Sequence, residues 1–518
     1  MRLDPFDESG SFRAVESGGE LRRRAVRSAG VTVFAQGIGF AVQMVSTVAL
    51  ARLLRPVDFG LVTMVTTFSV LIASCGQIGF PEAVVQRQKM DRGLASNLFW
   101  INLAVGVLLT LGFAGAGSLL AWFYGDPRLT YVAVGVSLSI LFTSAGLLHS
   151  ALLKRAMCFS AVSANDIVSR ACSVAVSVLL AWLGWGYWAL VAGILTQPLV
   201  NSVGVWILCR WIPSLPRRVS GQGAVVSFAA AVYSRWSLGY LAQNLDNLLV
   251  GWRFGSVQMG LYKKAYDLFS LPYSFLTIYP VAVSTLSRLN ADAAQYRRYL
   301  AAGLSTLALV GMGIGGALTL TGPDVVRVLL GARWEASGKI FTFFGPGIGM
   351  MLIYSANGMI HQSLGTTRRY LTWGFVECTV TGLMFLLCLR WGPSGIAAAW
   401  TTSYWVLTIP AYWYAGKPVG FGVGSLLAVV WRYTAGSFLA VGMSALILGY
   451  LRPLAGMVGP VGAALRVMIG SLLFGVLYIA GIVLLYGGFG PLRKFAGAVG
   501  EMLPRAVAVE TSTPQSEA

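Results

Sequence analysis

The residues best suited to chemistry in this sequence gather between positions 235 and 247. Placed at 100° per residue, Arg235, Tyr240, Gln243, Asp246 and Asn247 fall within a helical sector of roughly 140°. The apolar run 224–233 precedes Arg235. If that run is part of the same span, Arg235 lies about 16 Å in at 1.5 Å per residue. A charge at that depth costs about 2.5–3.5 kcal/mol on insertion scales, so it needs a wet cavity or a partner on another helix. The functional reading is that Arg235 attracts an anionic substrate. Two alternatives stand beside it: a structural ion pair between helices, and a span that begins near Arg235 and leaves it at the interface. Asp246 shares the azimuth of Arg235 but sits about 16 Å away along the axis, so each needs its own partner. Asn244 and Asn247 also suit hydrogen bonds between helices.

Other polar groups interrupt apolar stretches. Gln36 and Gln43, with Thr32 and Thr47, form an uncharged stripe suited to hydroxyl-rich ligands or to helix contacts, and packing is the preferred reading. Lys263 and Lys264 are followed by Asp267; Lys263 can pair with it at i,i+4 and snorkel, which leaves Lys264 as the better phosphate contact. Glu377, inside an apolar run, is a candidate proton or cation site, with Asp246 the other. Arg170 and Asp166, four apart, read as an interfacial pair. His149 and His361 fall near helix ends and are assigned no mechanism.

These groups stand out because the chain around them is apolar. Of its 518 residues, 56% are hydrophobic and 11% charged, with a mean hydropathy of +0.71; a soluble domain carries about 25% charged residues. About 14 runs are long enough to span a bilayer as helices, near 28–50, 59–79, 97–122, 131–150, 164–183, 186–208, 224–250, 259–286, 299–321, 338–362, 370–389, 395–415, 430–450 and 463–487. The expectation is an all-α polytopic membrane protein. Basic pairs such as Lys154–Arg155, Arg217–Arg218, Arg297–Arg298 and Arg368–Arg369 fall on alternate loops, which by the positive-inside rule places both termini in the cytoplasm. The net charge of +19 is spread over these loops, so topology accounts for it and nucleic acid is not expected as a partner. The six cysteines form no C-x-x-C pair.

An internal duplication organises the chain. Pro56-Val57-Asp58-Phe59-Gly60-Leu61 returns as Ser256-Val257-Gln258-Met259-Gly260-Leu261, each copy in a short turn between two spans. Six spans separate the copies, so the halves share one orientation. The expected organisation is an N-terminal cytoplasmic arm (1–27), an N-lobe of six helices (28–211), a linker (212–223), a C-lobe of six helices (224–415), an accessory helix pair (416–490) and a partly disordered cytoplasmic tail (491–518). Loops are too short for a soluble catalytic domain, and no nucleotide loop, H-E-x-x-H or nucleophile motif occurs. No cofactor is expected, and the reading is a transporter rather than an enzyme.

A family resemblance rests on three segments. The stretch from Ala51 to Val62, ARLLRPVDFGLV, closely resembles the first loop of bacterial polysaccharide flippases of the PST (Wzx-like) family; Ile78 to Arg87 resembles their second loop, and Gly260 to Tyr266 its repeat in the second lobe. The segment from Asn244 to Gly251 also resembles the family's seventh helix. The resemblance implies membership of the multidrug/oligosaccharidyl-lipid/polysaccharide exporter (MOP) superfamily, with two six-helix bundles around a central cavity and alternating access. The substrate it implies is an undecaprenyl-diphosphate-linked oligosaccharide, flipped to the periplasmic leaflet of the bacterial inner membrane for exopolysaccharide, capsule or O-antigen synthesis. Membrane lipids, a polymerase and the chain-length and export machinery are the partners it implies. On chemical grounds Arg235 and Lys264, with Arg52 and Arg253 at the outer mouth, suit the diphosphate, while Gln36, Gln43, Tyr240, Gln243 and Asn247 suit the sugars. A cation-coupled multidrug exporter of the same superfamily is the alternative; it calls for an acidic cavity.

Overall fold

The computed structural model describes residues 5–7, 12, 37–77, 90–216, 233, 236, 237, 239–241, 243–273, 279–450, 457 and 459–502. Arg235 and Gln36, both expected in the site, and Arg217 and Arg218 lie outside the described residues. Among those described the chain is all-α without a strand, apart from an isolated bridge between Phe6 and Phe12.

The helices are α1 (Gly37–Leu53), α2 (Pro56–Gln77), α3 (Arg92–Gly115), α4 (Gly117–Tyr124), α5 (Arg128–Arg155), α6 (Phe159–Trp182), α7 (Tyr187–Leu208), α8 (Leu245–Ser270) and α9 (Tyr279–Arg288). There follow α10 (Ala293–Leu330), α11 (Glu335–Phe344), α12 (Ile348–Ser355), α13 (Asn357–Ser363), α14 (Thr367–Cys388), α15 (Gly392–Gly416), α16 (Val423–Tyr450), α17 (Pro460–Tyr486) and α18 (Gly490–Met502). Among the described residues ten stretches are long and apolar enough to cross a membrane, one of which, Thr367–Val419, holds both α14 and α15. The protein is a multi-pass membrane protein. Several helices begin earlier than hydropathy places them, α10 at Ala293 and α16 at Val423. Hydropathy marks only the turns in lipid, whereas backbone hydrogen bonding continues into the polar interface.

By contacts the chain forms two compact units, neither continuous in sequence. Unit 1 is Met1–Phe269 with Pro323–Phe344 and Gly374–Ser403; unit 2 is Ser270–Gly322 with Gly345–Trp373 and Tyr404–Ala518. Within unit 1, lipid supplies little drive for helices to associate, so contact depends on close packing and interhelical hydrogen bonds. Glycines provide the approach: a Cβ on Gly106, Gly146 or Gly193 would overlap Ser144, Ser202 or Ser177 of the facing helix. The approach brings Asn102 Nδ2 to 2.9 Å from the Ser144 carbonyl and Ser173 Oγ to 2.8 Å from the Gly193 carbonyl. The arm that reads as polar contributes Phe6, which is buried against Trp211, while the Phe12 amide donates to the Met90 carbonyl at 3.1 Å.

Unit 2 packs α10, α12, α13, α16 and α17 around Leu304, Met312, Ile353, Tyr433 and Phe474. Its buried hydroxyls are satisfied across helices: Tyr412 donates to the Ile353 carbonyl at 2.7 Å, Tyr478 to the Leu309 carbonyl at 2.9 Å and Ser437 to the Met312 carbonyl at 2.8 Å. Such bonds remove polar groups that lipid cannot solvate.

Candidate functional site

The duplicated turns meet each other. Arg55 caps α2, Pro56 occupies the first helical position, and the Asp58 carboxylate reaches back to accept from the Arg55 amide at 2.9 Å. This satisfies a donor that the helix itself cannot. In the second copy α8 is broken at Gly255, whose φ of 76° and extended ψ only glycine adopts readily. The helix resumes and crosses the start of α2. A Cβ on Gly60 would overlap the Ser256 carbonyl, and one on Gly260 would overlap the Pro56 carbonyl. Each repeat glycine is therefore the contact point for the opposite copy, a reciprocity expected of a two-fold-related pair.

A cavity of about 200 Å³ opens between α1, α2, α6 and α7. Its polar lining includes Gln43, Ser46, Thr63, Arg170, Ser173 and Gln197, and among the described residues no carboxylate borders it. Arg170 corrects the reading from spacing. Asp166 accepts from Asn201 Nδ2 at 2.6 Å, and the described ion pairs do not include Arg170. A neighbouring helix supplies Asp166 with a close donor, whereas the i,i+4 pair on an exposed face is worth only about 0.3–0.5 kcal/mol. The guanidinium is left to the cavity, a residue that sequence reasoning assigned elsewhere.

The other expected residues take distinct places. Gln43, on the α1 stripe for which packing is the preferred sequence reading, lines the cavity. Tyr240 donates to the Thr67 carbonyl at 2.9 Å and Gln243 is exposed. Asn247 donates to Asn244 Oδ1 at 3.0 Å, and Asn244 in turn donates to the Tyr240 carbonyl, so this pair bonds along its own segment rather than between helices. Lys263 and Lys264 both reach Asp267, at 2.6 and 3.5 Å, and Lys264, buried, also lies 4.1 Å above the Phe59 ring. Arg253 is exposed beside Phe254, and Glu377 is half-buried on α14.

Arg52 donates to the carbonyls of Val328 and Leu329, at 2.7 and 3.4 Å, in the last turn of α10. A cation there meets the negative end of the helix dipole. Arg52→Ala is accordingly expected to cost about 0.3–1 kcal/mol, read as a small fall in melting temperature.

Asp246 is fully buried and held by three donors. Its Oδ2 accepts from Tyr262 Oη at 2.7 Å and Trp400 Nε1 at 2.9 Å, and its Oδ1 from the Asn247 amide at 2.7 Å. The carboxylate is thus hydrogen-bonded and in no described ion pair.

This all-α membrane fold has counterparts among solved structures. The chain has the fold of the lipid II flippase MurJ in its inward closed conformation (TM-score 0.65, 13% identity, 89% of this chain and 99% of that one). It is also similar to an inward-facing multidrug resistance MATE family transporter of the MOP superfamily (TM-score 0.54, 13% identity, 77% and 99%). The model of the family described as "Polysaccharide biosynthesis protein" matches residues 49–339, more than half of the chain, and the chain belongs to that family. Relatives include the succinoglycan biosynthesis transport protein ExoT of Rhizobium meliloti, 25% identical over 69% of this chain and 73% of its own length. The lipopolysaccharide biosynthesis protein WzxC of Escherichia coli is 20% identical over 77% and 82%. The protein is thus a multi-pass membrane protein of the polysaccharide biosynthesis protein family.

Proposed function

We propose that this protein flips undecaprenyl-diphosphate-linked oligosaccharide repeat units from the cytoplasmic to the periplasmic leaflet of the inner membrane by alternating access. The repeat halves are 28–211 and 224–415, both termini are cytoplasmic, and a polymerase takes the product. The observation that carries this reading is the cavity bordered by Arg170 and Gln197, on two helices long and apolar enough to span a membrane, and by Gln43 on the shorter α1. Amides and hydroxyls match sugar hydroxyls, and a cation matches an acidic lipid-linked substrate.

Asp246 is the group proposed to couple transport to a cation gradient, with Glu377 the second candidate. The multidrug-exporter reading draws support from the same carboxylate, but a cavity bordered, among the described residues, by arginine and no acid disfavours cationic drugs.

Deletion of the gene, with mass spectrometry of membrane lipids and an impermeant glycosidase to test sidedness, checks the proposal. A complete lipid-linked repeat unit is expected to accumulate on the cytoplasmic side. Normal polymer export with raised drug sensitivity would overturn it in favour of drug export.

A further inference from the structure

Resting on the flippase reading, we propose that Arg170, Gln43 and Gln197 form a subsite for one carboxylated sugar residue of the transported unit, separate from whatever holds the diphosphate. The first argument is charge. Among the described residues Arg170 is the only cation bordering the cavity and no acid borders it. A guanidinium fork matches one carboxylate in bidentate fashion, whereas a diphosphate carries more than one negative charge and would remain under-neutralised. Asp166, the acid one turn away, is occupied by Asn201.

The second argument is the hydrogen-bonding inventory. Thr63 and Ser173 spend their protons on the carbonyls of Phe59 and Gly193, each at 2.8 Å. Their oxygens therefore present acceptors to the cavity. Gln43 and Gln197 are exposed there, and each amide offers both donors and an acceptor. Pro198, inside α7, removes the helical bond to the carbonyl of Ile194, another bordering residue, and frees one more acceptor. A ring bearing several hydroxyls and one carboxylate satisfies this set; an apolar cation or a bare phosphate does not.

The third argument is size. A volume of about 200 Å³ equals that of roughly seven waters at about 30 Å³ each. That is room for a single sugar ring, and the remainder of an oligosaccharide must lie outside.

The test has two arms. In the first, the lipid accumulated by the deletion strain is analysed for a carboxylated sugar, and one is expected. A neutral repeat unit overturns this inference while leaving the flippase reading intact; absence of any accumulated unit overturns the flippase reading and this inference with it. In the second arm, sodium glucuronate, glucose and inorganic pyrophosphate are titrated against the purified full-length protein, its Arg170→Gln variant and its Arg170→Lys variant. Glucuronate affinity is expected to fall roughly 10–100-fold in Arg170→Gln, less in Arg170→Lys, with glucose and pyrophosphate unchanged. Unaltered glucuronate affinity, or a loss confined to pyrophosphate, overturns the assignment. Arg170 is exposed, so Arg170→Gln is expected to melt with the parent protein; a variant that melts early is replaced by Gln197→Ala, for which weaker glucuronate binding is the supporting result and unchanged binding the overturning one.

Discussion

Gly60→Ala is expected to yield little folded protein. Its added methyl would overlap the Ser256 carbonyl and lie 3.0 Å from the Gly260 amide nitrogen, both backbone atoms. Overpacking a core with a methylene costs about 1–3 kcal/mol when side chains can move. Here the obstruction is backbone on both sides, so relief requires the two repeat segments to separate, and about 3 kcal/mol or more is expected. Gly260→Ala should behave alike, since its methyl would meet the Pro56 carbonyl. The double variant should cost less than the sum, because one displacement relieves both overlaps. Melting of the detergent-purified protein measures this, and single variants that melt with the parent would remove the reciprocal crossing as a structural requirement.

The second large effect concerns Asp246 and separates transport from folding. Asp246→Ala leaves the Tyr262 hydroxyl and the Trp400 indole N–H buried without their acceptor, at about 1–3 kcal/mol each. Asp246→Asn keeps an oxygen able to accept from both and loses only the bond from the Asn247 amide, so it is expected to be destabilised less than Asp246→Ala and to reach the membrane. If the carboxylate couples transport to a cation, Asp246→Asn should nevertheless abolish polymer export, because the amide cannot take up a proton or balance a cation. Export at the parental rate with Asn at position 246 would reduce this carboxylate to a hydrogen-bonding role.

Much of this was legible in the linear order of residues. An apolar run of sufficient length must form a helix in lipid, since every backbone polar group needs a partner within the segment. The repeat was legible too: a glycine recurring at 60 and 260 in matching turns marks a position where something approaches closely. What approaches it was not, because the partner lies 200 residues away in sequence. The same holds for charges. From spacing, Asp166 belonged with Arg170 and Lys264 stood apart from Asp267; in the folded chain Asn201 takes Asp166, Arg170 borders a cavity, and Lys264 shares Asp267 with Lys263. Asp246 had no partner that sequence could name, and it found Tyr262 from its own helix and Trp400 from α15. Membrane insertion is a nearly additive property of local segments, so the sequence by itself determined the spans and the turns that join them. The partner of each buried polar group depends on which helices pack together and at what height, and only the tertiary structure decided that.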